Sequence, residues 1–198
     1  MALTFLSREK TIAKPGFNRW LVPIAALSIH LCIGQIYAYS VFNKPLTRII
    51  GVDAPTVNDW ELTTIGWIFS IALFTLGASA AIFGPWLERV GPRKAMFVSA
   101  LCFAGGFMVA ALGVQLHQIW LVYLGHGVLG GIGLGIGYIS PVSTLIKWFP
   151  DRPGMATGMA IMGFGGGAMI ASPLAIALMN FYSSDTSTGV AETFLTMG

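Results

Sequence analysis

Hydrophobic and polar positions fall in long blocks along this chain, with little of the short-period alternation of a soluble protein. Asp, Glu, Lys and Arg are missing from residues 20–43, 62–87, 95–146 and 153–184, runs of 24, 26, 52 and 32 residues. A helix rises ~1.5 Å per residue and needs about 20 residues to cross ~30 Å of hydrocarbon. Three of the runs therefore hold one spanning helix each, and the longest holds two joined by a tight turn. The pattern predicts spans at 20–42, 63–86, 95–116, 119–146 and 155–181. A polar stretch, SSDTSTG, follows, and AETFLTMG then opens a sixth helix near residue 192. The expected fold class is an all-α polytopic membrane protein. It has an N-terminal segment over 1–19 and a transmembrane bundle over 20–198, with five complete transmembrane helices plus the start of a sixth.

Composition agrees with lipid as the solvent. Of 198 residues, 55% are hydrophobic and 10% charged, against roughly 25% charged in a soluble domain. Soluble enzymes, nucleic-acid binders and disulfide scaffolds are excluded on that ground. The net charge of +3 reflects topology and implies no nucleic-acid partner. With the N-terminus inside, inner segments hold Arg8, Lys10, Lys14, Arg19, Arg89, Arg93, Lys94, Lys147 and Arg152, while outer segments hold only Lys44 and Arg48. That positive-inside bias predicts a cytoplasmic N-terminus facing anionic headgroups. The first run is too long for a secretory signal and lacks a cleavage site, so it reads as an uncleaved span. Cys32 and Cys102 fall in apolar runs and read as small hydrophobes. No cluster has metal-ligand spacing and no nucleophile has a base beside it. The expectation is no metal, no cofactor and no enzyme.

The loop GPWLERVGPRKAMF (84–97) carries specific information. Gly84 permits close helix approach, and Glu88 is an acid at a span end, where burial is costly unless a cation or a helix N-terminus satisfies it. Gly91 and Pro92 turn the chain, and Arg93 and Lys94 anchor the next span. On these residues alone, a positive-inside hairpin carrying one acid is the plain alternative. The segment resembles the loop signature of the major facilitator superfamily, G-x-L-a-D-R-x-G-R-[RK], with Glu88 where Asp is usual. The resemblance implies the N-terminal helical bundle of the major facilitator fold. It also implies that Glu88, Arg89 and Arg93, with Gly84, Gly91 and Lys94 around them, form a conformational latch toward a C-terminal half.

Glycine dominates the fourth and fifth predicted spans. Gly127, Gly131 and Gly135 share one face, and Gly158 and Gly163 continue the device in the fifth span. Small residues let membrane helices approach closely. The seam reads as packing between these two helices, either static or able to slide. Between them lies KWFPDRPG (147–154). Together with GQIYAYSVF (34–42) and GFGGG (163–167), it is similar to the oxalate/formate antiporter family of that superfamily.

That second resemblance implies a substrate cavity lined by aromatic side chains of the first, fourth and fifth helices. Tyr37 and Tyr138 match such positions by motif. Phe164 stands where the oxalate-transporting pattern has Tyr and lacks its hydroxyl, which argues against oxalate itself. Gln35 and Tyr39, i and i+4 on a regular helix, share a face and are further cavity candidates. His30 and His126 read as packing histidines, with proton relay as the alternative. The expected function is secondary transport of a small organic anion, a mono- or dicarboxylate, by alternating access, as an antiporter or coupled to protons. The expected setting is a bacterial inner membrane. The cations that a carboxylate needs are absent from these spans and are implied to lie in a missing C-terminal bundle. The chain is therefore expected to be part of a longer design and inactive alone. The competing readings are a small membrane scaffold or accessory subunit, and a truncated inactive remnant.

Overall fold

The computed structural model describes residues 6–13 and 15–198. Eight α-helices follow in chain order: α1 Leu21–Ile33, α2 Ser40–Leu46, α3 Leu62–Val90, α4 Pro92–Gln115, α5 Ile119–Val122, α6 Gly131–Trp148, α7 Pro153–Tyr182 and α8 Val190–Met197. Five continuous helical segments are long and apolar enough to span a bilayer: Leu21–Ala38, α3, α4, Ile119–Trp148 and α7. Side chains such as Phe74 (75% exposed) and Met169 (81%) project outward from them. That face suits hydrocarbon, where exposed apolar area carries no cost.

Two spans depart from regular α geometry. Within the first, Gly34–Ala38 winds as a tighter 3₁₀ turn before α2 begins, where a single unbroken helix to residue 42 is expected from the sequence. The tightening sits where the first span crosses α7. There Gly34 and Gly167 meet so closely that a Cβ on Gly167 would lie 2.6 Å from the Gly34 Cα. Within the fourth span, Tyr123–Gly130 is π-helical. The wider winding presents Gly125 to Gly106 of α4, backbone against backbone.

Glycine seams hold the bundle together, but their partners differ from the expected pairing of the fourth and fifth spans. The face of Gly127, Gly131 and Gly135 receives Ile71, Thr75 and Ser79 of α3. Thr75 donates across that seam to the Gly127 carbonyl at 2.7 Å. Gly133 faces α4, where Ser99 donates to its carbonyl at 2.6 Å. Gly163 and Gly167 pack on α1 against Leu27, His30 and Leu31. Among the described residues, Gly158 and Gly84 have no neighbour within 4 Å of a built Cβ, so neither packs closely on another helix of this bundle. The physical reason is rotational. Each seam must face whichever helix lies across it, and glycine spacing states only that some helix does.

The N-terminal segment is docked onto the bundle. A short 3₁₀ turn, Arg8–Thr11, lies on the turn between α3 and α4, where Gly91 has φ +85° and a Cβ would meet Arg8. Arg19 grips Asp151 between α6 and α7 through two hydrogen bonds of 2.9 and 3.0 Å and lies over Phe149. Phe17 packs on Trp148 and Trp20 on Phe149. The last helix, α8, is entered through Gly189 at φ +71°.

Candidate functional site

An aromatic wall forms where α6 and α7 meet the 3₁₀ turn of the first span. Phe164 stands at its centre, buried, with its ring 5.1 Å from Tyr37 and 5.0 Å from Tyr138. His30 stacks on Tyr138 at 5.5 Å and meets Phe164 edge-on at 6.2 Å. The His30 Nε2 lies 3.3 Å from the Tyr138 carbonyl. In the tautomer with the proton on Nε2, His30 donates to that carbonyl. Tyr37 is 46% exposed. The cluster therefore sets two tyrosines, a buried phenylalanine and a histidine against one another across three helical segments.

Three candidates from the sequence thus converge: Tyr37, Tyr138 and Phe164. Gln35 and Tyr39 do not join them. Gln35 lines a separate groove with Cys32, Ile170 and Met197. Tyr39 is 2% exposed and packs with Phe42, Phe69 and His126. The shared face expected of Gln35 and Tyr39 fails because a 3₁₀ turn advances about 120° per residue, which leaves positions four apart about 120° out of line. His126 is buried between Tyr39, Phe107 and Phe194, with rings 4.8, 4.9 and 5.8 Å away.

The loop residues gather at the end of the molecule that carries Arg19 and Asp151. Glu88 accepts hydrogen bonds from Lys147 and from Ser143, the latter at 2.9 Å. Both partners lie on α6, which ties the α3 end to the α6 end. Glu88 thus has Lys147 and Ser143 as hydrogen-bond donors, beside the Arg89 and Arg93 expected from the sequence. Lys147 and Ser143 are the site residues the sequence reading missed. The available signal was charge at equal depth: Glu88 and Lys147 bound the charge-free runs and must emerge on the same side. Arg89, Arg93 and Lys94 are exposed there. Beside them, the Arg19 guanidinium holds the Asp151 carboxyl below the usual carboxylate range.

At the opposite end Asp59 organises the loop between α2 and α3. It accepts from the amides of Ile50, Gly51 and Thr56 and from the Thr56 hydroxyl, at 2.7–3.2 Å. Desolvation opposes its ionisation, but these four donors outweigh it and hold the carboxyl low.

Five membrane-length helices around glycine seams, with an aromatic wall between them, define a polytopic helical membrane protein. The chain belongs to the Major Facilitator Superfamily, whose model matches residues 22–198. Its curated relatives include the uncharacterized MFS-type transporter YhjX of Escherichia coli, 30% identical over 77% of this chain and 35% of that protein. Apicoplast pyruvate carrier 1 of Toxoplasma gondii is 30% identical over 82% of this chain and 36% of its own length. The oxalate:formate antiporter of Oxalobacter formigenes is 26% identical over 79% and 35%. The chain thus spans about a third of the length of each of these relatives.

Proposed function

We propose that this chain is the N-terminal half of a secondary transporter for a small organic anion, a mono- or dicarboxylate, working by alternating access. Exchange or proton coupling drives it, and its N-terminus lies in the cytoplasm. The observation that carries the reading is the Tyr37–Phe164–Tyr138 wall on the first span, α6 and α7. Two of the relatives bear names that specify a carboxylate, pyruvate for one and oxalate and formate for the other. Among the described residues no Lys or Arg lies at mid-depth in a span. A carboxylate in low dielectric needs a cationic partner, so a facing C-terminal bundle supplies it. Rocking of two such halves about a midplane site is the expected motion. In that motion Glu88 and its α6 partners hold the cytoplasmic ends together.

The test is reconstitution in liposomes of this bundle joined to the reading frame that follows codon 198, with labelled oxalate, formate, pyruvate and lactate exchanged against unlabelled anion. Saturable exchange of at least one is expected. An open frame carrying no further apolar spans, or no saturable uptake of any of the four, would overturn the assignment. Phe164→Tyr restores a third phenol to the wall and is expected to raise apparent affinity for oxalate relative to the monocarboxylates, since one donor to a charged group in a desolvated site contributes roughly tenfold or more. Unchanged selectivity would remove the wall from the site.

A further inference from the structure

The end of the molecule opposite the Arg19–Asp151 pair holds few cations, and both of its lysine and arginine residues face one cavity. Lys44 and Arg48 line a space of about 700 Å³ between α2 and the C-terminal end of α7, together with Asn180, Ser187 and Thr188. Neither cation forms an ion pair among the described residues, although Asp53 and Asp185 also border the space. Arg48 donates only one long bond, 3.4 Å from Nη1 to the backbone carbonyl of Asp53. Its Nε is buried with no acceptor. A desolvated guanidinium donor normally has a partner, and Arg offers a planar fork suited to a carboxylate. Val41 of α2 borders the same space, which opens at the end of the first span that follows the 3₁₀ turn bearing Tyr37.

We propose that this cavity is a carboxylate-capture vestibule, in which Lys44 and Arg48 hold a small organic anion before it passes to the aromatic wall. The hydroxyls of Ser187 and Thr188 and the Asn180 amide supply neutral donors around it. The inference rests on the transport reading for its ligand class. It also supplies what that wall lacks, a positive charge on the same half of the protein.

The test reads local potential without requiring transport. In a Cys32→Ala/Cys102→Ala background, Thr188→Cys places a thiol in the cavity and Leu116→Cys a reference thiol at the same end. Labelling rates are compared for anionic sulfonatoethyl and cationic trimethylammonioethyl methanethiosulfonate, with the 198-residue chain in nanodiscs. Normalised to the reference, the anionic reagent is expected to be favoured roughly twofold at low salt, because Asp53 and Asp185 on the same lining offset part of the Lys44 and Arg48 charge. Lys44→Gln/Arg48→Gln should invert the ratio in favour of the cationic reagent, since Asp53 and Asp185 remain on the lining, and Lys44→Arg should preserve it. Oxalate or pyruvate should protect the cavity thiol saturably, and less so in the double variant. A charge-blind ratio, a preference that survives the double variant, or no protection by either anion would overturn the vestibule. Vesicle exchange is measured separately. If exchange is absent but protection persists, the transport reading falls and the anion site stands. If exchange is present with a charge-blind cavity, the reverse holds.

Discussion

Replacing Gly167 with alanine tests whether backbone contact between the first span and α7 holds the bundle. A Cβ there would lie 2.6 Å from both the Gly34 Cα and the Leu31 carbonyl oxygen. Ordinary contact begins near 3.5 Å, so the helices must part by roughly an ångström. Overpacking of this kind costs about 1–3 kcal/mol. Alanine also returns close to 1 kcal/mol of helix propensity relative to glycine, so the net effect is a loss of about 0–2 kcal/mol. Gly158, on the same helix, has nothing within 4 Å of its built Cβ. There the propensity term stands alone, and Gly158→Ala should stabilise by up to about 1 kcal/mol. The two alanines should therefore differ by about 2 kcal/mol. For a chain of this size that is roughly 4–8 °C in melting temperature. The assay is thermal unfolding of the purified chain in one detergent, followed by tryptophan fluorescence. Equal shifts for the two variants, or a more stable Gly167→Ala, would refute the close-approach argument.

Loss of the Asp59 carboxylate leaves the amides of Ile50, Gly51 and Thr56 without their acceptor. Asp59→Ala should cost about 1–2 kcal/mol and speed proteolytic cleavage within residues 50–60. Because its folded carboxyl is held low, the contribution of Asp59 is present at neutral pH and is lost as pH falls through that lowered value. Melting curves from pH 7 to pH 2.5 should show an acid loss that Asp59→Asn lacks. Asp151, held low first by its bonds to Arg19, should titrate below an ordinary aspartate by carboxyl-selective NMR, and Arg19→Gln should move it back upward. The Lys147–Glu88 pair is half exposed, at 59% and 49%, so Glu88→Gln should change chain stability by less than about 0.5 kcal/mol. In the joined transporter the same change should shift accessibility labelling between the two faces, and unaltered labelling would argue against a latch.

The spans were legible in the sequence because hydrocarbon permits no charge over the length of a helix. Residues 95–146, with two spans and no charge, separate only at the turn that His117 makes at φ 52°. What the sequence hid was winding and rotation. A 3₁₀ turn at Gly34–Ala38 looks like any other apolar stretch, yet it sends Tyr39 into the core beside His126 and leaves Gln35 in another groove. The glycine faces announced close approach without saying to which helix, because Gly131 and Gly163 carry no side chain that could identify a partner. Tyr37, Tyr138 and Phe164 were found through family motif rather than physics, since an isolated tyrosine in a span packs as readily as it binds.

Charge behaves in the opposite way. Its rarity in a membrane protein makes depth along the normal readable, so residues at equal depth can be paired before any coordinates exist. Glu88 with Lys147 and Arg19 with Asp151 were both recoverable by that rule, although each partner lies in a different loop or helix end. The same rule put Lys44 and Arg48 together at one face, and only the packing of α2 on α7 shows that they face a common cavity. Depth is thus set by the solvent and can be read from composition. Azimuth is set by helix packing, and it decides which of these groups can act on one ligand.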